Sequence, residues 1–348
     1  MSRYADAHKN LQGPGDARPT ARQIVEDEGL VGGLVGKTIF ITGANQGIGL
    51  ETARALYATG ATVYLGVRDL AKGQKAIDDI TASSTELTQK GALRLVEMSL
   101  DSLDSVRKGA KDFIEQSGGK LNILVLNAGI MASTKSKTAY GYESQFATNH
   151  LGHFLLFQLV KPALLASTTP ELNSRVVAVS SVAHRASEIR FHDYNFDDEG
   201  SFEPFASYGQ SKTANIYLSN EIERRYGAQG LHSLSLHPGS ILTNMSAAQV
   251  VDVEATKAMM GEENFQNLMR TLKSTEQGAA TSVFAALSKE WEGRGGRYLT
   301  DCAEVGPGAP GYNPMSSDLG YAPWAYDQDK AARLWVESCK MVAFEDDA

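Results

Sequence analysis

KTIFITGANQGIG, residues 37–49, is the stretch on which the fold turns. Lys37–Gly43 is a short β-branched and aromatic run ending on glycine, the pattern of a strand buried on both faces. A helical pattern follows at once, from Ile48 to Thr59. Gly43, Gly47 and Gly49 lie at the join. Glycines there allow a tight turn and a close backbone approach, and the helix start offers free N–H groups and a partial positive charge. Strand, glycine turn and helix in that order make a seat for a pyrophosphate.

The same alternation continues along the chain. Strands are expected at 61–67, 92–100, 121–129, 175–181, 231–239 and 296–301. Helices are expected at Ala71–Thr81, Leu103–Gln116, Tyr142–Leu165, Tyr208–Tyr226 and Glu276–Ser288. Strands alternating with helices of this length predict an α/β fold: a Rossmann-like, doubly wound parallel sheet of about seven strands. One domain is expected over 37–348, preceded by an extension, 1–36, in which Ala21–Leu30 could form a short helix. Two stretches break the rhythm, 182–207 and 242–274. Both follow carboxyl ends of strands, where open α/β sheets bind ligands, so both are expected to be substrate loops.

Composition narrows the function. The 348 residues are 42% hydrophobic and 21% charged, the balance of a globular chain. A net charge of -8 argues against a nucleic-acid surface. The start of the chain has no signal-peptide pattern, and no run of about eighteen apolar residues occurs that would span a membrane. Cys302 and Cys339 form no disulfide framework. A cytoplasmic location follows as the expectation. Of the seven histidines, His150 and His153 invite a metal reading, but no carboxylate stands at ligand spacing, so no metal is expected. His184 and His192 could touch substrate or be ordinary loop residues.

Two further motifs carry chemistry. The second strand closes on Gly66-Val67-Arg68-Asp69. A site for NAD needs an acid there for the ribose hydroxyls, and Val67 supplies none. Arg68 can instead pair bidentately with a 2′-phosphate, which points to NADP(H). Asp69 would either partly neutralise Arg68 or cap the next helix. Farther on, Tyr208-Gly-Gln-Ser-Lys212 puts a phenol and an ammonium four residues apart on one helix face. A phenol titrates near pH 10, and a neighbouring ammonium favours the phenolate. Lowering that pKa by about three units takes about 4 kcal/mol.

The spacing Gly43-x-x-x-Gly47-x-Gly49, with Tyr208-x-x-x-Lys212, resembles the short-chain dehydrogenase/reductase family from Lys37 onward. The resemblance implies roles for further residues. Asn45, Gln46 and Ile48 belong to the cofactor loop, and Asp101 would contact the adenine amino group. Asn127-Ala128-Gly129 would line the cofactor. Asn149, Ser181, Tyr208 and Lys212 would form the catalytic set, with Tyr208 and Lys212 also touching cofactor. Pro238-Gly239 and Ile241 would contact the nicotinamide end, and Thr243 its carboxamide. The long gap between Ser181 and Tyr208, and the tail from Gly295 onward, resemble the retinol-dehydrogenase-like and WW-domain-oxidoreductase-like branch, fungal type. That resemblance implies NADPH-dependent reduction of a ketone or aldehyde on an apolar small molecule, possibly a secondary-metabolite intermediate. A non-redox dehydration or cyclisation in the same pocket and a non-catalytic NADPH-binding scaffold are the alternatives. A homodimer or homotetramer is expected, paired through the helices bearing Asn149 and Tyr208.

Overall fold

Every residue of β1 (Thr38–Thr42) is buried, because the strand lies in the middle of a sheet covered on both faces. The computed structural model describes residues 2–85, 91–241, 257, 261–309 and 318–345. β1 pairs in parallel with β2 (Thr62–Val67) on one side and β4 (Ile123–Leu126) on the other. β3 (Ala92–Glu97), β5 (Ser174–Val179), β6 (Leu231–His237) and β7 (Arg297–Thr300) extend the sheet. The order is β3-β2-β1-β4-β5-β6-β7-β8, and the last pairing, to β8 (Ala303–Glu304), is antiparallel. The seven parallel strands agree with the expectation of about seven, and the two-residue β8 adds an eighth. The order reverses between β1 and β4, which opens a crevice at their carboxyl ends.

The faces are covered by amphipathic helices. Helices α1 (Ala21–Asp27), α2 (Gly47–Tyr57), α3 (Leu70–Ala82) and α8 (Ala280–Leu287) share one core; α4 (Leu103–Ser117), α5 (Gly152–Ser167), α6 (Pro204–Tyr226) and α9 (Gln328–Met341) share the other. α7 (Glu262–Thr271) lies between β6 and α8 in the chain. Residues of the expected extension belong to the first core: Ile24 and Val25 are fully buried in it. Among the described residues, no helix is long and apolar enough to cross a membrane.

Three elements differ from the sequence expectation. The helix expected to run unbroken from Tyr142 starts instead as one turn at Ser144–Phe146 and opens into a π-turn, Ala147–Leu151, before α5. Asn149 sits in that wide turn, with its side chain tied to the backbone of Ile130. The hairpin β7–β8 turns on Asp301 and Cys302, both in the left-handed region at φ 52° and 55°. No glycine stands there to signal a turn. Finally, α9 was not expected, although Ala331, Leu334, Trp335 and Ser338 form a buried stripe behind an Asp327 cap.

Candidate active site

The glycine turn is shaped by contact with the Asn127-Ala128 turn at the end of β4. Gly43 has φ 67°, and a Cβ there would lie 2.9 Å from Ala128 Cβ. A Cβ on Gly49 would come within 2.2 Å of Gly43 O and 2.5 Å of Asn127 Nδ2. Side chains are therefore excluded at both positions. Asn127 Nδ2 donates to Thr42 O at 2.9 Å and to Gly43 O at 3.4 Å, which pins the turn. α2 begins beyond Gln46 without a side-chain cap, so the N–H groups of Gly47, Ile48 and Gly49 remain at the helix start for an anion. A bare helix start, a glycine turn that admits no side chains and an open Arg68 fit a dinucleotide phosphate.

Asp69 is the cap of α3, accepting from Ala71 N at 2.9 Å and Lys72 N at 3.0 Å. Its carboxylate is thus turned to the helix, and Arg68 stands exposed at the end of β2. Asp101 is also exposed, with Ser99 Oγ donating to it at 2.5 Å.

The second cluster forms where α6 crosses the end of β5. Ser180 and Ser181 part company there. Ser180 Oγ donates to Lys212 O at 2.7 Å and so fastens the helix. Ser181 Oγ accepts from Ala183 N at 3.1 Å and hydrogen-bonds the Tyr208 phenol. Lys212 Nζ lies 5.4 Å from the Tyr208 ring centre and donates to Val179 O at 3.1 Å. Gly209 permits the close crossing, since a Cβ would meet Ala183 O at 2.6 Å. Asn149 Nδ2 donates to Ser211 Oγ at 2.9 Å, and Ser211 Oγ donates to Tyr208 O at 2.7 Å. Asn149 therefore stands behind Tyr208, joined to it through Ser211.

Burial shifts both ionisable groups. It pushes the Tyr208 phenol up to about 12, against a smaller lowering from Ser181. It pulls the Lys212 ammonium down to about 8. The expected lowering of the phenol is thus absent from the protein alone, because desolvation of the phenolate outweighs the lowering from Ser181. At pH 7 the phenol is protonated and the lysine mostly charged.

The Pro238–Ile241 turn, expected on the nicotinamide side, follows β6. Gly239 has φ 102°. Ile241 and Ile48 both pack against Gly278, which brings this turn to the start of α2. Thr243, also expected here, lies outside the described residues. The loop at 182–207 is largely tied down. His184 is fully buried; Nδ1 donates to Ser181 O at 2.7 Å and Nε2 accepts from Ala322 N at 2.9 Å. It holds the serine turn to the C-terminal segment and has no ring nitrogen left for substrate. His192 is exposed.

The comparisons agree with this architecture. The family model described as short chain dehydrogenase matches residues 37–195. The short-chain dehydrogenase/reductase prx1 of Penicillium roqueforti is 47% identical over 340 residues, covering 98% of this chain and 95% of that one. The chain belongs to the short-chain dehydrogenase/reductase family of oxidoreductases. Human retinol dehydrogenase 12 is 33% identical over 309 residues, covering 89% of this chain and 87% of its own. Among solved structures, the Pseudomonas aeruginosa RhlG/NADP active-site complex superposes with a TM-score of 0.59 at 24% identity, over 76% of this chain and 95% of that one, a likeness of fold.

Within this family member, one linkage escaped the sequence reading. Thr42 Oγ1 accepts from Asn127 N and Ala128 N, both at 3.0 Å, and meets His153 Nε2 at 2.8 Å. His153 Nδ1 in turn donates to Asn149 O at 2.9 Å. The chain of bonds joins the glycine turn to the Asn149 turn. His150 Nε2 meets Ser338 Oγ of α9 at 2.8 Å. Burial holds both rings neutral, at about 3. Their separation in sequence from Thr42 and Ser338 hides both pairings from any local pattern.

Proposed function

We propose that this protein uses NADPH to reduce a ketone or aldehyde on an apolar small molecule, with Tyr208 as proton donor. The observation that carries the reading is a buried, protonated phenol hydrogen-bonded to Ser181, with Lys212 beside its ring. The reduced nicotinamide supplies the hydride. Ser181 then holds the substrate oxygen as negative charge grows on it, and Tyr208 gives that oxygen its proton. A phenol near 12 is still a far stronger acid than an alcohol, so the transfer runs downhill. One hydrogen of Lys212 is committed to Val179 O, leaving two for the nicotinamide ribose hydroxyls. Asn149 fixes Tyr208 from behind. Gly43, Asn45, Gln46, Gly47, Ile48 and Gly49 would hold the pyrophosphate, Arg68 the 2′-phosphate and Asp101 the adenine. Asn127, Ala128, Gly129, Pro238, Gly239 and Ile241 would line the remaining length.

The test is product formation measured alongside NADPH consumption over a panel of apolar carbonyl compounds. Equal loss of NADPH and gain of alcohol supports the reading. Product without NADPH loss would mean a non-redox reaction, and nucleotide binding without any turnover a scaffold.

Cytosolic residence and a substrate of secondary-metabolite type complete the proposal. The homodimer expected through α5 and α6 meets a covered face. Trp335 of α9 packs on Phe154, Phe157 and Tyr226 at ring distances of 5.1, 6.0 and 6.3 Å. A dimer on that side would use the outer face of α9, where Val336 is 43% exposed. Light scattering at micromolar concentration, with Val336→Glu as the disrupting variant, tests it.

A further inference from the structure

Arg18 comes from the N-terminal extension, yet it is 3% exposed. Its guanidinium donates to Thr271 O at 2.9 Å, Leu272 O at 2.5 Å and Gly13 O at 3.1 Å, and its Nε lies 2.8 Å from Asp16 Oδ1. Thr271 ends α7, so Arg18 satisfies carbonyls that a helix end leaves unpaired. Gln277, equally buried, answers from the other side. Its Oε1 accepts from Gly15 N at 3.0 Å, and its Nε2 donates to Asp16 O at 3.1 Å and Arg18 O at 3.2 Å. One side chain from each segment laces residues 13–18 to residues 271–277.

The laced segment carries Lys273, which supports the Pro238–Ile241 turn. Lys273 N donates to Ser240 O at 2.9 Å, and Ile241 bridges to Lys273 in parallel. The side chain lies along Gly239, where a Cβ would stand 2.7 Å from Lys273 Cδ. Its ammonium ends 2.6 Å from Asp301 Oδ1, in the left-handed turn between β7 and β8. The extension holds that turn as well, because Ser2 Oγ donates to Cys302 O at 2.7 Å. Both ends of the Lys273–Asp301 pair are therefore gripped by residues 2–18.

We propose that residues 2–18 position the Pro238–Ile241 turn, with Arg18 and Gln277 as positioning residues for the nicotinamide half of the cofactor; this rests on the cofactor reading above. Two measurements on the full chain test it, with Arg18→Ala and Gln277→Ala as variants. One is the affinity for NADPH against 2′,5′-ADP, which has no nicotinamide. The other is hydrogen exchange at the Lys273 amide without nucleotide. NADPH affinity should fall about tenfold while that for 2′,5′-ADP stays within about twofold, and Lys273 exchange should accelerate. Unchanged Lys273 protection in a folded variant would overturn the proposal. So would an equal loss of affinity for both nucleotides, which means general loosening. If Arg18→Ala does not fold, Gln277→Ala decides, since it removes no charge. A wild-type protein that binds neither nucleotide would sink the cofactor reading, while the exchange result would still decide whether the extension holds the turn.

Discussion

The two ends of the proposed cofactor site are built in opposite ways. The phosphate end is backbone and open side chains: glycines that exclude a Cβ, a bare helix start, and exposed Arg68 and Asp101. The reacting end is buried side chain: Tyr208, Lys212 and Asn149 are all buried, and burial has moved the pKa of the two that ionise. The first end is held by backbone geometry and by one neighbouring turn, Asn127-Ala128. At the second, each group depends on segments far away in the chain, through Ser211, Val179 and the C-terminal segment that His184 holds. The difference predicts that substitutions at one end change which nucleotide binds, and at the other what happens once it has bound.

The largest effect should come from Tyr208→Phe. The change removes one oxygen from a packed ring and leaves the phosphate end untouched. Turnover should fall about a thousandfold, within the range for loss of a general acid. NADPH affinity should stay within about threefold. Normal turnover by the phenylalanine variant would remove Tyr208 from the chemistry.

Next in size is Arg68→Ala, the mirror experiment. Loss of a charge-assisted pair with a 2′-phosphate is worth about 1.5–3 kcal/mol, or roughly 10- to 150-fold in NADPH affinity. NADH carries no such phosphate and should bind the variant as before. Turnover at saturating NADPH should also hold. Equal affinity of the intact protein for both nucleotides would refute the role given to Arg68.

How far each end could be read from sequence follows the same division. The alternation of strands and helices gave the sheet, and Gly43, Gly47 and Gly49 marked the phosphate end, because both signals are local. Tyr208 and Lys212 were legible since four residues is one helical turn. The second serine of the pair was picked by resemblance; its geometric reason, Ser180 fastening α6, needs the fold. The thread Asn127–Thr42–His153–Asn149 joins four elements and leaves no periodic trace. Nor does Arg18, whose partners Thr271 and Leu272 lie more than 250 positions away. The left-handed Asp301–Cys302 turn had no glycine to announce it.

Lys212 gives the reacting end a pH dependence that the phosphate end lacks. Its pKa of about 8 belongs to the cofactor-free protein, so kcat/KM for NADPH is the quantity to follow. The neutral lysine donates a weaker hydrogen bond and carries no charge. The parameter should be flat near pH 7 and fall above pH 8, by about tenfold at pH 9 if only the charged form is productive. The affinity for 2′,5′-ADP, which meets Arg68 rather than Lys212, should not bend at that pH. A flat profile through pH 9 would dissociate Lys212 from cofactor engagement.

The smallest effect separates the two ends by stability. His150 and His153 lie under the Asn149 turn and His237 under the Pro238 turn, each held neutral by burial, at about 3. Unfolded histidine titrates near 6.5. The folded pKa is depressed, so between these values the unfolded state binds more protons, and stability falls as the pH falls. The full contribution is present above about 6.5. By pH 5.5 each such histidine has withdrawn about 1.4 kcal/mol from any opening that exposes it. Among the described residues, His153 reaches the glycine turn only through Thr42, and no histidine hydrogen-bonds α2. Between pH 7.5 and pH 5.5, the amides of 149–153 should therefore lose protection more than those in the body of α2, by about tenfold for each histidine that the opening exposes, once intrinsic exchange rates are corrected. Replacing His150 with Gln should shrink that gap, because glutamine does not titrate. Equal losses at both ends, in wild type and variant alike, would show that the two regions open as one unit and that the histidines do not make the reacting end the weaker one in acid.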